Sequence, residues 1–358
     1  MTKYPFSTWA YEEQTKMKHC VLNEYIDKWI KIVGKNNNLN YIDSHGGIGA
    51  YLNDNNKLFF GSPVLVAQTV EEITKKHKRN VAIVIIDKEE RNLKNIQLIF
   101  DYLKINIKPI FINDDFDKTL NKFVDEIEHL APTFFFIDPF GFKIKMKTLK
   151  KIIEIPKSEI LLMFMFTRIN EFLSAPKLEK TLDDLFDGTE WRIYKKKEGI
   201  DREIGIIDYY KTQLKKFVKF VNKYRFEFPD KKRTYYYLYH LTNHKLGCSI
   251  MKSAFAKYNE GRIEYKGKRS NQLNLFENEK INDVKKYLKN KYSNKKILYG
   301  KIIEENIDCC DFLEKDLYNA LKELENNEEI KIIRMPQKTP TGRVRTSIQD
   351  KDIIIFYE

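Results

Sequence analysis

The stretch Tyr41-Ile42-Asp43-Ser44-His45-Gly46-Gly47-Ile48-Gly49-Ala50 decides how the rest of the chain is read. A short β-prone run ends in an aspartate and passes into a glycine cluster. That is the composition of a strand handing over to a loop whose backbone must approach something closely. Glycine-rich turns are common, so the motif gains its weight from what surrounds it.

Working outward, residues 11 to 34 are apolar at helical spacing, with Met17, Val21, Tyr25 and Trp29 or Ile32 on one face and Gly34 as a stop. Beyond the glycine loop the segment LNDNNKLFF, polar and then aromatic, ends in Gly61-Ser62-Pro63. Ser62 suits an N-cap and Pro63 the first helical position, which predicts a helix over 63 to 77 with its positive end toward the loop. Residues 81 to 86 form a near-continuous apolar run before Asp87, as in strands buried on both faces of a parallel sheet. A helix over 89 to 104, a strand before Asn113-Asp114-Asp115, and a helix over 116 to 129 come next. A strand at 133 to 137 before Asp138-Pro139-Phe140-Gly141 and another at 160 to 166 complete the series.

This alternation predicts a doubly wound α/β sheet with helices on both faces. Four of its five strands end in an acidic residue. Ligands of such sheets sit beyond the carboxyl ends of the strands, so Asp43, Asp87, Asp115 and Asp138 are expected to converge on one crevice. A turn after a strand accounts for any single aspartate, whereas four in register point to a site.

At 358 residues the chain suits two domains. Hydrophobic residues make up 42%, no apolar run reaches membrane-spanning length, and the first residues lack the pattern of a signal peptide. A soluble, cytoplasmic protein with no membrane association is expected. Cys20, Cys248, Cys309 and Cys310 contain no CxxC pair and read as reduced and structural. The formal net charge of +13 attracts polyanions, which makes nucleic acid, DNA or RNA, the leading partner class. The same lysines also serve simply to solvate a surface.

Residues 168 to 230 read as a mostly helical, charged insertion, and residues 235 to 242 as a late strand followed by a helix around Met251. The expected domains are therefore a Rossmann-like core at 1–258, a basic connector at 259–295 with one helix near 280 to 290, and a winged-helix-like unit at 296–358. In that last unit, helices near 296 to 306 and 313 to 327 precede a strand, a polar wing and a final strand. Its second helix carries Glu314, Asp316, Glu323 and Glu325 against Lys315 and Lys322, which phosphates would repel. The wing, with Lys331, Arg334, Lys338, Arg343 and Arg345, is the better contact surface, and protein docking is the competing role.

The crevice suits a nucleoside cofactor. Gly47 and Gly49 allow close backbone approach, an acid after the second strand (Asp87) suits ribose hydroxyls, and acids after the third (Asp114, Asp115) suit an adenine amino group. About a dozen residues separate the last glycine from Pro63, so no helix N-terminus is placed for a pyrophosphate, and no P-loop is present. S-Adenosylmethionine needs no phosphate cradle, and Asp43 can help anchor its methionine end, beside His45 and Gly46. Asp138-Pro139-Phe140 resembles the Asp-Pro-Pro-aromatic signature of amino-group methyltransferases, in which the carboxylate accepts from the target amine and the ring stacks on the base. Phe140 stands in place of the second proline. No histidine pair has metal-ligand spacing, so no metal is expected.

These residues together resemble the three-Cys-motif partner proteins, a bacterial and phage-associated group with a class I methyltransferase core. The likeness rests on Lys18-His19 with Tyr25 and Trp29, the Asp43 glycine loop, Gly61-Ser62-Pro63, Ile137 to Gly141, Trp191, and Tyr237-Leu238 through Thr242-Asn243-His244, and spans about residues 8 to 275. It implies an S-adenosylmethionine pocket and a protein partner bearing a three-cysteine motif. The leading expectation is a nucleic-acid methyltransferase. Its rivals are a non-catalytic methyltransferase-like scaffold and a methyltransferase of small molecules or proteins.

Overall fold

In the computed structural model the described residues are 4–123, 130–139, 141–228, 233–258, 276–308 and 311–357. The chain divides into two units, residues 1–267 and 268–358. The apolar runs of the first unit become the strands β1 (Leu39–Asp43), β2 (Val81–Ile86), β3 (Ile110–Ile112), β4 (Thr133–Ile137) and β5 (Glu159–Phe164). Two further strands, β6 (Phe220–Glu227) and β7 (Thr234–Thr242), complete one sheet of order β3-β2-β1-β4-β5-β7-β6. β1 to β5 pair in parallel, and β7 runs antiparallel to both of its neighbours. This is the order of a Rossmann-like, class I methyltransferase core.

Side-chain alternation along the strands explains why β4 reads as an unbroken apolar run. Phe134 and Phe136 enter one core with α1 (Glu13–Val33), α2 (Ser62–His77), α3 (Glu90–Leu103) and the helix Lys245–Tyr258. Phe135 and Ile137 enter the other, with the helices Phe116–Phe123 and Met146–Glu154 and the inserted helices that carry Leu182, Trp191 and Ile206. All five β4 residues are buried. Each such phenylalanine contributes about 1.5–3 kcal/mol of burial.

Several expectations change. Ser62 is not the cap of α2: Gly61 occupies that position, and the Ser62 hydroxyl bonds to Asp43 instead. The helical insertion ends well before residue 230, because Phe220–Glu227 is the edge strand β6 with Val221, Tyr224 and Phe226 buried. Its alternation is blurred by the adjacent apolar pair Phe220-Val221, which also fits a helix face. The segment after the glycine loop forms a small sheet, in which Ala50–Leu52 pairs with Leu58–Phe60 and, in parallel, with Trp9–Ala10. Phe140, Cys309 and Cys310 lie outside the described residues, as does the basic run at 266 to 269.

The second unit comprises α4 (Phe276–Tyr292), β8 (Lys296–Leu298), α5 (Tyr299–Asn306), α6 (Glu314–Asn326), β9 (Ile330–Ile333) and β10 (Ile353–Phe356), with sheet order β8-β10-β9. Helix, strand, helix, helix, strand, wing and strand make a winged-helix unit. α4 lies inside the stretch read as a connector, yet its Val284, Leu288 and Tyr292 are buried in the unit's core. Its polar composition concealed this, since only one residue per turn faces inward. Residues 296 to 298 are a strand and not the start of a helix.

The wing is closed by a buried ion pair. Arg345 and Asp352 are 5% and 0% exposed, and Asp352 also accepts from the backbone N–H groups of Met335 at 2.9 Å and Gln349 at 2.8 Å. Arg345, expected on the contact surface, is therefore structural. Removing one partner of a buried pair strands the other, at a cost of about 3–5 kcal/mol. Asp352→Asn should accordingly destabilise the second unit by that amount, measured as lost hydrogen-exchange protection in β9 and β10; a loss below about 1 kcal/mol would contradict this role.

Candidate functional site

β1 and β4 lie side by side with Asp43 opposite Phe136, so the last residue of β1 and Asp138, just past β4, leave the sheet at one place. This is the switch point of the sheet, the place where ligands of open α/β sheets sit. Asp43 is fully buried. It accepts from the Tyr41 hydroxyl at 3.2 Å, from the His45 backbone N–H at 3.3 Å, and from Ser62 at the start of α2. Burial pushes its pKa up to about 7 against the Ser62 bond, and the charge of Asp138 adds to the rise.

The loop glycines answer to three different constraints. A Cβ on Gly46 would stand 2.7 Å from Ile85 Cγ2, and one on Gly49 2.9 Å from Ile96 Cγ1, so these two let the loop pack onto β2 and α3. Asn95 of α3 fastens the same loop by donating to the Ile48 carbonyl at 2.7 Å. Gly47, at φ +59°, has no such crowding: the nearest atoms to its missing Cβ are Trp9 Cζ3 at 3.7 Å and the Tyr51 hydroxyl at 3.9 Å. Its N–H donates to Asp87 Oδ2 at 2.8 Å.

Asp138 pairs through Oδ2 with the buried ammonium of Lys18, which α1 supplies. Its Oδ1 is buried and has no hydrogen-bond partner among the described residues. Lys18 also lies 5.9 Å from the centre of the Phe136 ring. The adjacent His19 is buried beside the rings of Tyr11 and Tyr51, and burial, then the Lys18 charge, holds its pKa well below the usual histidine value. His45 is likewise held below its usual value by burial, against the opposing fields of Asp138, Asp87 and Asp115.

Asp43 and Asp138 stand together, Asp87 holds the loop at Gly47, and the field of Asp115 reaches His45, so the four strand-end acids are in different states. Asp87 is buried; Oδ1 accepts from the Glu89 N–H at 2.8 Å and from Asn92 at 3.2 Å, and Oδ2 from Gly47. With about four acceptor sites on a carboxylate, about one remains on Oδ2. Asp115 caps its helix through the Lys118 N–H at 3.1 Å and pairs with Lys88 at 2.5 Å, while Asp114 pairs with Lys122 at 2.5 Å. Pro139 is buried. Tyr51 and Asn95 escaped the sequence reading, which also gave Ser62 only a capping role, since nothing local marks a residue whose partner is remote in the chain.

The folded chain holds the Asp43 proton to about pH 7, whereas the unfolded chain releases it near the ordinary value of about 4. The stability associated with the protonated form is thus complete below that lower value and is lost as pH rises through 7. In Asp43→Asn this dependence disappears, so the fall in Tm between pH 5 and 8 should be smaller than in the unaltered chain, measured by thermal unfolding at matched ionic strength. An identical fall in both would place the buried charge elsewhere.

Comparison with known proteins matches residues 263–336 to the family model described as a GMT-like wHTH domain. No curated protein matches the chain. Among solved structures, protein LPL1258 from Legionella pneumophila str. Philadelphia 1, of the family model DUF519, shares 11% identity over 69% of this chain and 93% of its own, with a TM-score of 0.43. An rRNA methylase from Streptococcus thermophilus shares 9% over 62% and 93%, at 0.32. Cofactor-bound Rv0187 from MTB shares 9% over 67% and 84%, at 0.35.

Proposed function

We propose that the chain is an S-adenosylmethionine-dependent methyltransferase whose acceptor is nucleic acid, with an exocyclic amino group as the methylated position. One observation carries this reading: a buried carboxylate oxygen of Asp138, unpartnered among the described residues, stands at the switch point of the sheet, beside the buried carboxyl of Asp43. An unsatisfied buried acceptor costs about 1–3 kcal/mol, and an amine donor in the crevice removes that cost.

The residues fit the cofactor. When bound, it supplies an electrophilic methyl group on a positively charged sulfur. Asp43 holds a carboxyl that a nearby cation would drive to its ionised form, and Gly47 turns the loop backbone at positive φ beside Trp9 and Tyr51. Asp87 retains acceptor capacity for a hydroxyl while fixing the loop. Asp114 and Asp115 stand at the end of β3, where the adenine end would lie.

Asp138 accepts a hydrogen bond from the acceptor amine through Oδ1. Lys18 restrains Oδ2, so the carboxylate cannot swing away and its charge is balanced in a poorly solvated place. Catalysis here is chiefly orientation of the nucleophile. The first unit carries the chemistry and the second unit engages the polynucleotide. The resemblance in the sequence adds a protein partner with a three-cysteine motif, and a cytoplasmic setting accords with such an acceptor.

Calorimetric titration should show S-adenosylmethionine binding, and tritium transfer to total tRNA, rRNA, genomic DNA and lysate protein should label a nucleic acid. Asp138→Ala should lower transfer about 100-fold or more while leaving cofactor affinity nearly unchanged. No binding at millimolar cofactor would favour a non-catalytic scaffold. Parallel loss of binding and transfer in Asp138→Ala would reassign that residue to cofactor binding or folding.

A further inference from the structure

From Ile330 to Gln349 the chain carries Lys331, Arg334, Lys338, Arg343 and Arg345 and no carboxylate. The structure divides these five cations. Arg334 makes two N–H···O bonds to Glu325, both 2.7 Å, and Arg345 is buried against Asp352. Both are consumed within the unit.

Lys331, Lys338 and Arg343 are exposed, and no ion pair engages them among the described residues. Between them the tip is open: Gly342 has φ +82° with nothing within 4 Å of its missing Cβ, and Val344 is 76% exposed. The opposite holds for α6, the helix that most obviously would enter a groove. Its Asp316 pairs with Lys280 at 2.6 Å, its Glu323 with Lys285 at 2.9 Å, and its Glu325 with Lys322 and Arg334. The acids of α6 thus bind it to α4 and the wing base, and they leave its surface without a positive excess.

We infer that the second unit grips nucleic acid by its wing, through phosphate contacts from Lys331, Lys338 and Arg343, while α6 serves as an internal strut and stays out of the groove. This deepens the nucleic-acid part of the proposed function and is independent of the cofactor. Each phosphate contact releases a counterion and steepens the salt dependence of binding. Three contacts to duplex DNA correspond to a slope of about 2.7 in log Kd against log salt, or about 40-fold in affinity between 50 and 200 mM salt.

The test uses the full chain with fluorescein-labelled random-sequence duplex DNA and, separately, total tRNA, titrated at several salt concentrations. The triple variant Lys331→Gln, Lys338→Gln, Arg343→Gln should lose about 2.7 from the duplex slope. It should keep its Tm, because these side chains hold nothing in the fold. Lys315→Gln with Asn319→Ala, both on the exposed side of α6, should leave slope and affinity unchanged. The DNA and tRNA arms decide which polymer is bound. An unchanged slope in the wing variant, loss confined to the α6 variant, or no binding by the unaltered chain to either polymer would each overturn the inference. Cofactor titration of the same preparations separates that failure from failure of the methyltransferase reading.

Discussion

Two carboxyl groups meeting at the ends of adjacent parallel strands set the terms for the first unit. Asp43 and Asp138 are close enough for the charge of Asp138 to raise the pKa of Asp43, which is fully buried. Left alone, such a pair would oppose folding. The chain answers with a different device for each: Asp43 is wrapped in donors from Tyr41, His45 and Ser62, and Asp138 receives the ammonium of Lys18. Both devices bring in helices that pack on the same face of the sheet, α1 and α2, so the local electrostatic problem and the placement of these helices are solved together.

The glycine loop inherits its shape from the same region. Gly46 and Gly49 exist because β2 and α3 leave no room for a side chain, and Asp87 pins Gly47 through its N–H. A loop fixed on three sides is preorganised: a ligand arriving there need not supply the entropy of ordering it. Gly47 is less crowded, with Trp9 and Tyr51 at ordinary contact distance from its missing Cβ.

In the second unit, charge is used for construction first and recognition second. Arg334 and Arg345 close the wing, while the acids of α6 anchor that helix to the lysines of α4. A count of charges along the chain could not separate cations spent internally from those that face solvent, because the two kinds alternate at spacings as short as two residues, as Arg343 and Arg345 show.

The sequence by itself determined the order of strands and helices through β5 and the positions of the acids at strand ends. Alternation, glycine and proline are local signals, and a strand end is marked within a few residues. It also showed that a winged-helix unit follows. Only the tertiary structure decided that Lys18 would neutralise Asp138 across 120 residues of chain, that Ser62 would serve Asp43 instead of capping α2, and that α4 would belong to the second unit. It alone set β6 at the sheet edge and buried Arg345. The reason is physical: hydrophobic periodicity encodes which face of an element turns inward, whereas the partner that a buried charge or edge strand meets depends on how whole elements dock, and no local pattern records that.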